Sequence, residues 1–152
     1  MSKAGLGEPS PRGWKSRMTD LHKDCTDSVP VEQAGRIREA ARLLGGGVSL
    51  PVGCPPVSIS SDVLETMLAA GAFESAVLHL MGGQSAFMLS RSGNGSCLAS
   101  VVRADGAEEI TAEGATPALA LLAAHVLALS EESGLGHLSA EPEWPKPGLR
   151  LN

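Results

Sequence analysis

From Ala118 to Leu129 the chain reads Ala-Leu-Ala-Leu-Leu-Ala-Ala-His-Val-Leu-Ala-Leu, with His125 as its one polar side chain. Thr116 before this run is a good helix N-cap, and Pro117 suits a first helical position because its missing N–H has no partner to lose there. As a helix over Pro117–Glu132, the run places Leu119, Leu122, Val126 and Leu129 on one face and Leu121, Ala124, Leu127 and Ala128 on the other. A helix that is apolar all round must be covered on two sides. Two arrangements satisfy that requirement. The helix lies between a sheet and other helices, or its second face docks another copy of the chain.

The remaining sequence must supply that cover. The chain has 152 residues, 43 % of them hydrophobic, which is enough for one domain with a core that needs no disulfide or metal. Aromatic residues make up only 3 %, with no Tyr, so the core is built from Leu, Val, Ala and Met. Few rings also argue against recognition of single-stranded nucleic acid by base stacking. Residues 1–28 are polar, rich in early Gly and Pro, and read as a disordered arm. Residues 29–132 carry the periodic segments and read as a single α+β domain. Residues 133–152 contain Pro142, Pro145 and Pro147 and read as a Pro-rich extended tail.

Within the domain, a first helix is expected from about Pro30, with Ala34, Ile37, Ala41 and Leu44 as its apolar face and Gly45-Gly46-Gly47 as its stop. Three prolines between Leu50 and Ser58 mark a linker. A second helix is expected near Asp62, where Asp62 and Glu65 have capping-box spacing, with Leu64, Met67 and Leu68 inward and Gly71 as its left-handed stop. The segment from Ser75 to Met81 fits either a buried strand or more helix; its shortness and Gly82-Gly83 favour strand. Ser85–Arg91 and Cys97–Arg103 flank Ser92-Gly93-Asn94-Gly95, a hairpin signal. Asp105-Gly106 marks a further turn into a strand over Glu108–Ala112. The expected fold is therefore an antiparallel three- to four-stranded sheet packed against helices.

Signatures of chemistry are scarce. Cys25, Cys54 and Cys97 are an odd number at irregular spacing, as in a protein with reduced thiols. His22 and Cys25 stand three apart without a second ligand pair, so no metal site is expected. His125 reads as a buried histidine bonded to a carbonyl, or as a group facing a partner, and His79 as a solvent-facing side chain. The glycine runs lack the Lys-Ser or Lys-Thr of a phosphate loop. No catalytic residue and no cofactor is expected, and the chain reads as a non-enzyme. No segment has the apolar length of a membrane span and the first residues lack a secretory stretch, so the cytoplasm is the expected location.

Charge is uneven. The net charge is −5, and residues 29–132 hold five Arg against eleven acids, while residues 1–28 hold five basic residues against four acids. An acidic domain repels phosphate backbones. Glu108, Glu109 and Glu113 concentrate that charge along one short segment, and they are the candidate partner-binding residues.

The region from Ile59 to Leu129 resembles the phage ABA-sandwich domain family. The likeness lies in a Ser60-Ser61-Asp62 helix start, the strands that follow, and Thr111-Ala112-Glu113-Gly114-Ala115-Thr116-Pro117-Ala118-Leu119-Ala120 leading into an alanine- and leucine-rich helix. The resemblance covers about half the chain. It implies a helix–sheet–helix sandwich of phage origin and no reaction. The functional expectation is a small phage or prophage accessory protein that binds a protein partner, such as a nucleic-acid-processing host complex. It would inhibit a host defence system through an acidic surface, as a nucleic-acid mimic would. A nucleic-acid-binding accessory using the N-terminal arm is the alternative, and a small enzyme with an unrecognised site is third.

Overall fold

The computed structural model describes residues 11–45, 59–83, 85–103 and 108–135. Five helices and one sheet form an α+β fold: α1 (Pro11–Asp27), α2 (Gln33–Gly45), α3 (Ser61–Ala69), α4 (Phe73–Met81), β1 (Ser85–Arg91), β2 (Cys97–Arg103), β3 (Ile110–Gly114) and α5 (Pro117–Leu135). The three strands form an antiparallel meander in the order β1-β2-β3. A 3₁₀ turn over Pro30–Glu32 leads into α2, with the Glu32 carboxylate accepting from the Val29 N–H at 2.9 Å. The linker from Leu50 to Ser58, the Asp105-Gly106 turn and the proline tail beyond 135 lie outside the described residues.

Helix α5 is the middle layer. Its N-terminus is capped as its sequence demands: the Leu119 N–H donates to Thr116 Oγ1 at 3.1 Å, and that hydroxyl donates to Gln33 Oε1 of α2 at 2.9 Å. From Ala118 to Val126 every side chain is buried, His125 included at 3 % exposure. One side of α5 packs on β2 and β3, and the other on α1, with α4 and α2 closing the flanks. Of the two arrangements the sequence allowed, the chain adopts the first. Leu121, Ala124 and Ala128, the face expected to receive a second copy, are buried inside the chain itself. The layers therefore run sheet, α5, α1, with α5 and not the sheet in the centre.

The cover on the far side comes from a segment whose expected state was disorder. Residues 11–27 form α1, and Trp14, Met18, Leu21 and Cys25 are all buried in the core. Their spacing of four, three and four residues is one helical stripe. Pro11 opens the helix, where a proline is tolerated, and the polar residues between the stripe positions form the solvent face. Trp14 also pins α2, because its indole Nε1–H donates to the Leu43 carbonyl at 3.3 Å. That carbonyl belongs to the last turn of α2, which has no intrahelical donor. A domain boundary at 29 would cut through this core. At the other end α5 extends to Leu135, past Gly134 and the expected limit at 132.

Two further elements differ from the sequence reading. Phe73–Met81 is helix α4, not strand: Ala76, Val77, Leu80 and Met81 are buried at spacings that only a helix brings to one side. In α3 the N-cap is Ser60, whose side chain accepts from the Val63 N–H at 3.2 Å. Glu65, expected in a capping box, instead forms a two-pronged pair with Arg38 of α2 at 2.7 and 2.8 Å. Gly71 closes α3 with a φ of +76°, as its sequence position implied.

The β1–β2 hairpin pairs Ser85 with Arg103 through to Arg91 with Cys97. Its loop is the five residues Ser92 to Ser96, as the expected strand limits implied. The Asn94 side chain accepts from the Ser96 N–H at 3.0 Å, and Gly95 supplies the positive φ of +93°. Strand β3 begins two residues later than expected. Gly114 at its end lies so close to α5 that a Cβ would sit 2.5 Å from the Ala120 backbone nitrogen, so no side chain fits there.

The burial of α1 yields a direct test. Trp14→Ala should destabilise the protein by about 3–5 kcal/mol, the cost of emptying an aromatic site in a packed core. Urea denaturation measures it. An unfolding midpoint equal to wild type would show that α1 is not part of the cooperative unit.

Candidate functional site

The pleat of the sheet sorts its residues by face. Cys97, Ala99 and Val101 of β2 and Ala112 and Gly114 of β3 point toward α5 and are buried. The opposite face carries Ala86, Met88 and Ser90 from β1, Leu98, Ser100 and Val102 from β2, and Thr111 and Glu113 from β3. No helix among the described residues covers that face. Met88 is 69 % exposed and Leu98 also lies open to solvent. The Ser100 and Thr111 hydroxyls, paired across β2 and β3, are 3.1 Å apart.

Of the three acids named from sequence, Glu113 lies on this face. Glu113 is exposed on β3 directly across from Leu98. Glu108 and Glu109 are exposed just before β3 begins. Only Glu113 is a strand residue; Glu108 and Glu109, expected to open the strand, precede it. On this face Met88, Leu98 and Val102 are the larger apolar side chains, and the hydrogen-bonded Ser100 and Thr111 stand among them.

The interior groups that could carry chemistry are tied into the fold. His22, on α1, donates from Nδ1 to the Ala123 carbonyl of α5 at 3.0 Å, which links the two helices. That is the role the sequence suggested for His125, one helix away. His79 is exposed on α4. Arg36 of α2 donates from Nε to Ser28 Oγ at 2.8 Å and lies 3.8 Å from Asp24 and 3.4 Å from Glu39. Ser28 Oγ in turn donates to the Asp24 carbonyl at 2.6 Å, so the cluster locks the corner between α1 and α2. The Arg38 guanidinium holds the Glu65 carboxyl below its ordinary range, and Glu65 raises Arg38 in return. Both side chains are about half exposed to solvent, so the pair adds little to stability.

Among the described residues no group of three or more His, Cys, Asp or Glu side chains is placed to hold a metal ion. No helix among them is long and apolar enough to cross a membrane. Sequence reasoning missed the Arg36 cluster and the His22 contact, because both depend on α1 being folded. The available signal was the stripe Trp14, Met18, Leu21 and Cys25, whose inward register fixes where His22 and Asp24 must point.

Burial pushes the Cys25 thiol up from an ordinary 9.0 to about 12; Arg36 opposes the rise, and Glu39 and Asp24 add to it. Below pH 9.0 folded and unfolded chains both hold the proton, and this contribution to stability is fully present. Between 9.0 and about 12 only the folded chain holds it, so stability falls as pH rises through that window. Urea titrations at increasing alkaline pH should show a shallower decline for Cys25→Ala than for wild type. In a Cys54→Ser background, Cys25 and Cys97 should react with a thiol reagent only as fast as the protein opens. Immediate labelling of Cys25, or identical pH slopes, would contradict its placement.

Comparison of the chain with protein-family models, with curated proteins and with solved structures gives no match.

Proposed function

We propose that this chain is a protein-binding accessory that uses the open face of its sheet, with Glu113 on that face and Glu108 and Glu109 just before β3. The observation that carries the reading is the uncovered face itself, where exposed Leu98 stands directly across from exposed Glu113. Exposed Met88 and Leu98 give a partner something to desolvate, and the acids select a basic surface and speed the encounter. A phage or prophage setting rests on the resemblance of Ile59–Leu129 to the phage ABA-sandwich family, whose implied sheet-centred layering this chain does not share. A nucleic-acid-processing host complex fits as the partner class, because its basic groove is complementary to a row of carboxylates. Folding of α1 weakens the case for nucleic acid held by an N-terminal arm. Arg12, Lys15, Arg17 and Lys23 share that helix with Asp20, Asp24 and Asp27, which leaves it a net charge of only +1.

The test is a charge reversal. A partner isolated from host lysate with the wild-type chain should bind more weakly as salt rises, since exposed charges are screened within about 10 Å at 0.1 M ionic strength. The triple variant E108K/E109K/E113K should bind it more slowly, with a smaller change in dissociation rate. Toward duplex DNA the same variant should gain affinity, because repulsion of the phosphates is removed. Tight DNA binding by wild type that is lost on reversal would overturn the proposal in favour of a nucleic-acid reading.

A further inference from the structure

The loop between β1 and β2 reads Ser92-Gly93-Asn94-Gly95-Ser96, and its backbone dictates two of those residues. Gly95 has a φ of +93°, a conformation that residues with a Cβ rarely adopt. Asn94 supplies a side chain short enough to bond the backbone two residues on, which closes the bend. The turn therefore sets an asparagine directly before a glycine, and that pair is chemically labile. The Gly95 backbone nitrogen can attack Asn94 Cγ. An N–Cγ bond forms and the Cγ–Nδ2 bond breaks. The proton of the Gly95 nitrogen passes by way of water to the departing group, which leaves as ammonia. One water then opens the cyclic imide. It cleaves either the new bond, giving aspartate, or the original main-chain bond, giving isoaspartate. Burial and sterics offer no protection, since Asn94 and Gly95 are exposed and the space that a Gly95 side chain would fill is empty.

We infer that the hairpin loop holds Asn94 against this deamidation, so that the residue is modified only when the loop opens. Both reacting groups are engaged elsewhere. The nucleophile is tied, because the Gly95 N–H donates to the Ser92 carbonyl at 3.1 Å. The electrophile is tied as well. Asn94 Oδ1 accepts from the Ser96 N–H at 3.0 Å and from the Ser96 hydroxyl at 2.9 Å, and the Ser92 hydroxyl donates to it too. A backbone N–H can only donate, so it fixes which end of the amide faces Ser96. The Ser92 N–H donates to the Ser96 carbonyl at 2.9 Å and closes the loop around these contacts. To bring Cγ onto the Gly95 nitrogen, the side chain must leave Ser96 and the N–H must leave Ser92. Donors on Oδ1 also draw electrons from Cγ, which by itself favours attack. That effect needs a nucleophile free to arrive, and with the Gly95 N–H engaged the restraint outweighs it. The fold depends on the outcome. Isoaspartate adds a carbon to the main chain where the loop sets the β1–β2 register, and register is what turns Cys97, Ala99 and Val101 inward.

The test uses the full chain at mildly alkaline pH, either folded or unfolded in guanidinium, sampled over time. Trypsin releases Asn94 in the peptide 92–103, where conversion of the amide to an acid is read by mass and isoaspartate separates from aspartate by chromatography. Conversion should be about tenfold to thirtyfold slower in the folded chain, the factor expected when two modest hydrogen bonds must break first. The double variant Ser92→Ala/Ser96→Ala strips both hydroxyls from Oδ1 at exposed or half-exposed positions, so a melting temperature near wild type is expected. In its folded state it should convert about threefold to tenfold faster than folded wild type. The rates in guanidinium, where no loop exists, correct for any change in intrinsic reactivity. Equal rates for folded and unfolded wild type would overturn the inference, because the loop would then restrain nothing. A folded double variant that converts no faster than wild type would also overturn it, by showing that the hydroxyls do not hold the amide in place.

Discussion

The need to cover α5 on every side organises this protein. A helix without a polar face cannot rest on a sheet alone, since a three-stranded sheet shields only one of its flanks. The other flank requires a helix of comparable length, and α1 is that helix. Its buried Trp14, Met18, Leu21 and Cys25 turn a β-hairpin and a helix into a three-layer stack. The price of close layering is visible at Gly114, where β3 and α5 approach so nearly that no Cβ fits between them.

Polar interactions then determine how the helices meet rather than whether they do. His22 reaches a carbonyl of α5, Trp14 a carbonyl of α2, and Thr116 the amide of Gln33, so each junction carries one directed hydrogen bond. Arg36, Ser28, Asp24 and Glu39 form a partly buried knot where α1 turns into α2. These groups are occupied in structure, whereas among the described residues one face of the sheet has no helix over it. Its β3 side carries Glu113, with Glu108 and Glu109 just before the strand, and there a basic partner is proposed.

The strands and the last helix were legible because local rules and tertiary context agree there. The hairpin ladder of Ser85–Arg91 with Cys97–Arg103 follows the sequence limits, and Thr116-Pro117 starts α5 where a cap and a first-turn proline should. Legibility failed where composition outweighed pattern. Early Gly and Pro and many charges made residues 1–28 look like an arm, although four apolar residues at helical spacing were present. Their meaning depends on α5, about a hundred residues later, offering a surface to receive them. The segment at α4 failed for another reason: a short apolar run carries no period long enough to separate a strand from a helix, and packing against α2 and α5 decides it. The exposed acids were readable as residues, but the open apolar edge beside β2 was not, since exposure of Phe87 and Leu89 follows from where α5 comes to rest.

The central claim is that α1 and α5 form one cooperative core. Native-state hydrogen exchange tests it most directly, because it reports the opening free energy of each helix separately. If α1 closes the far side of α5, the amides around Met18 and Leu21 should exchange only through global unfolding, with the same denaturant dependence as those around Leu122. Exchange of the α1 amides through a low-energy local opening, while α5 remains protected, would contradict the account and return residues 11–27 to the status of a detachable arm.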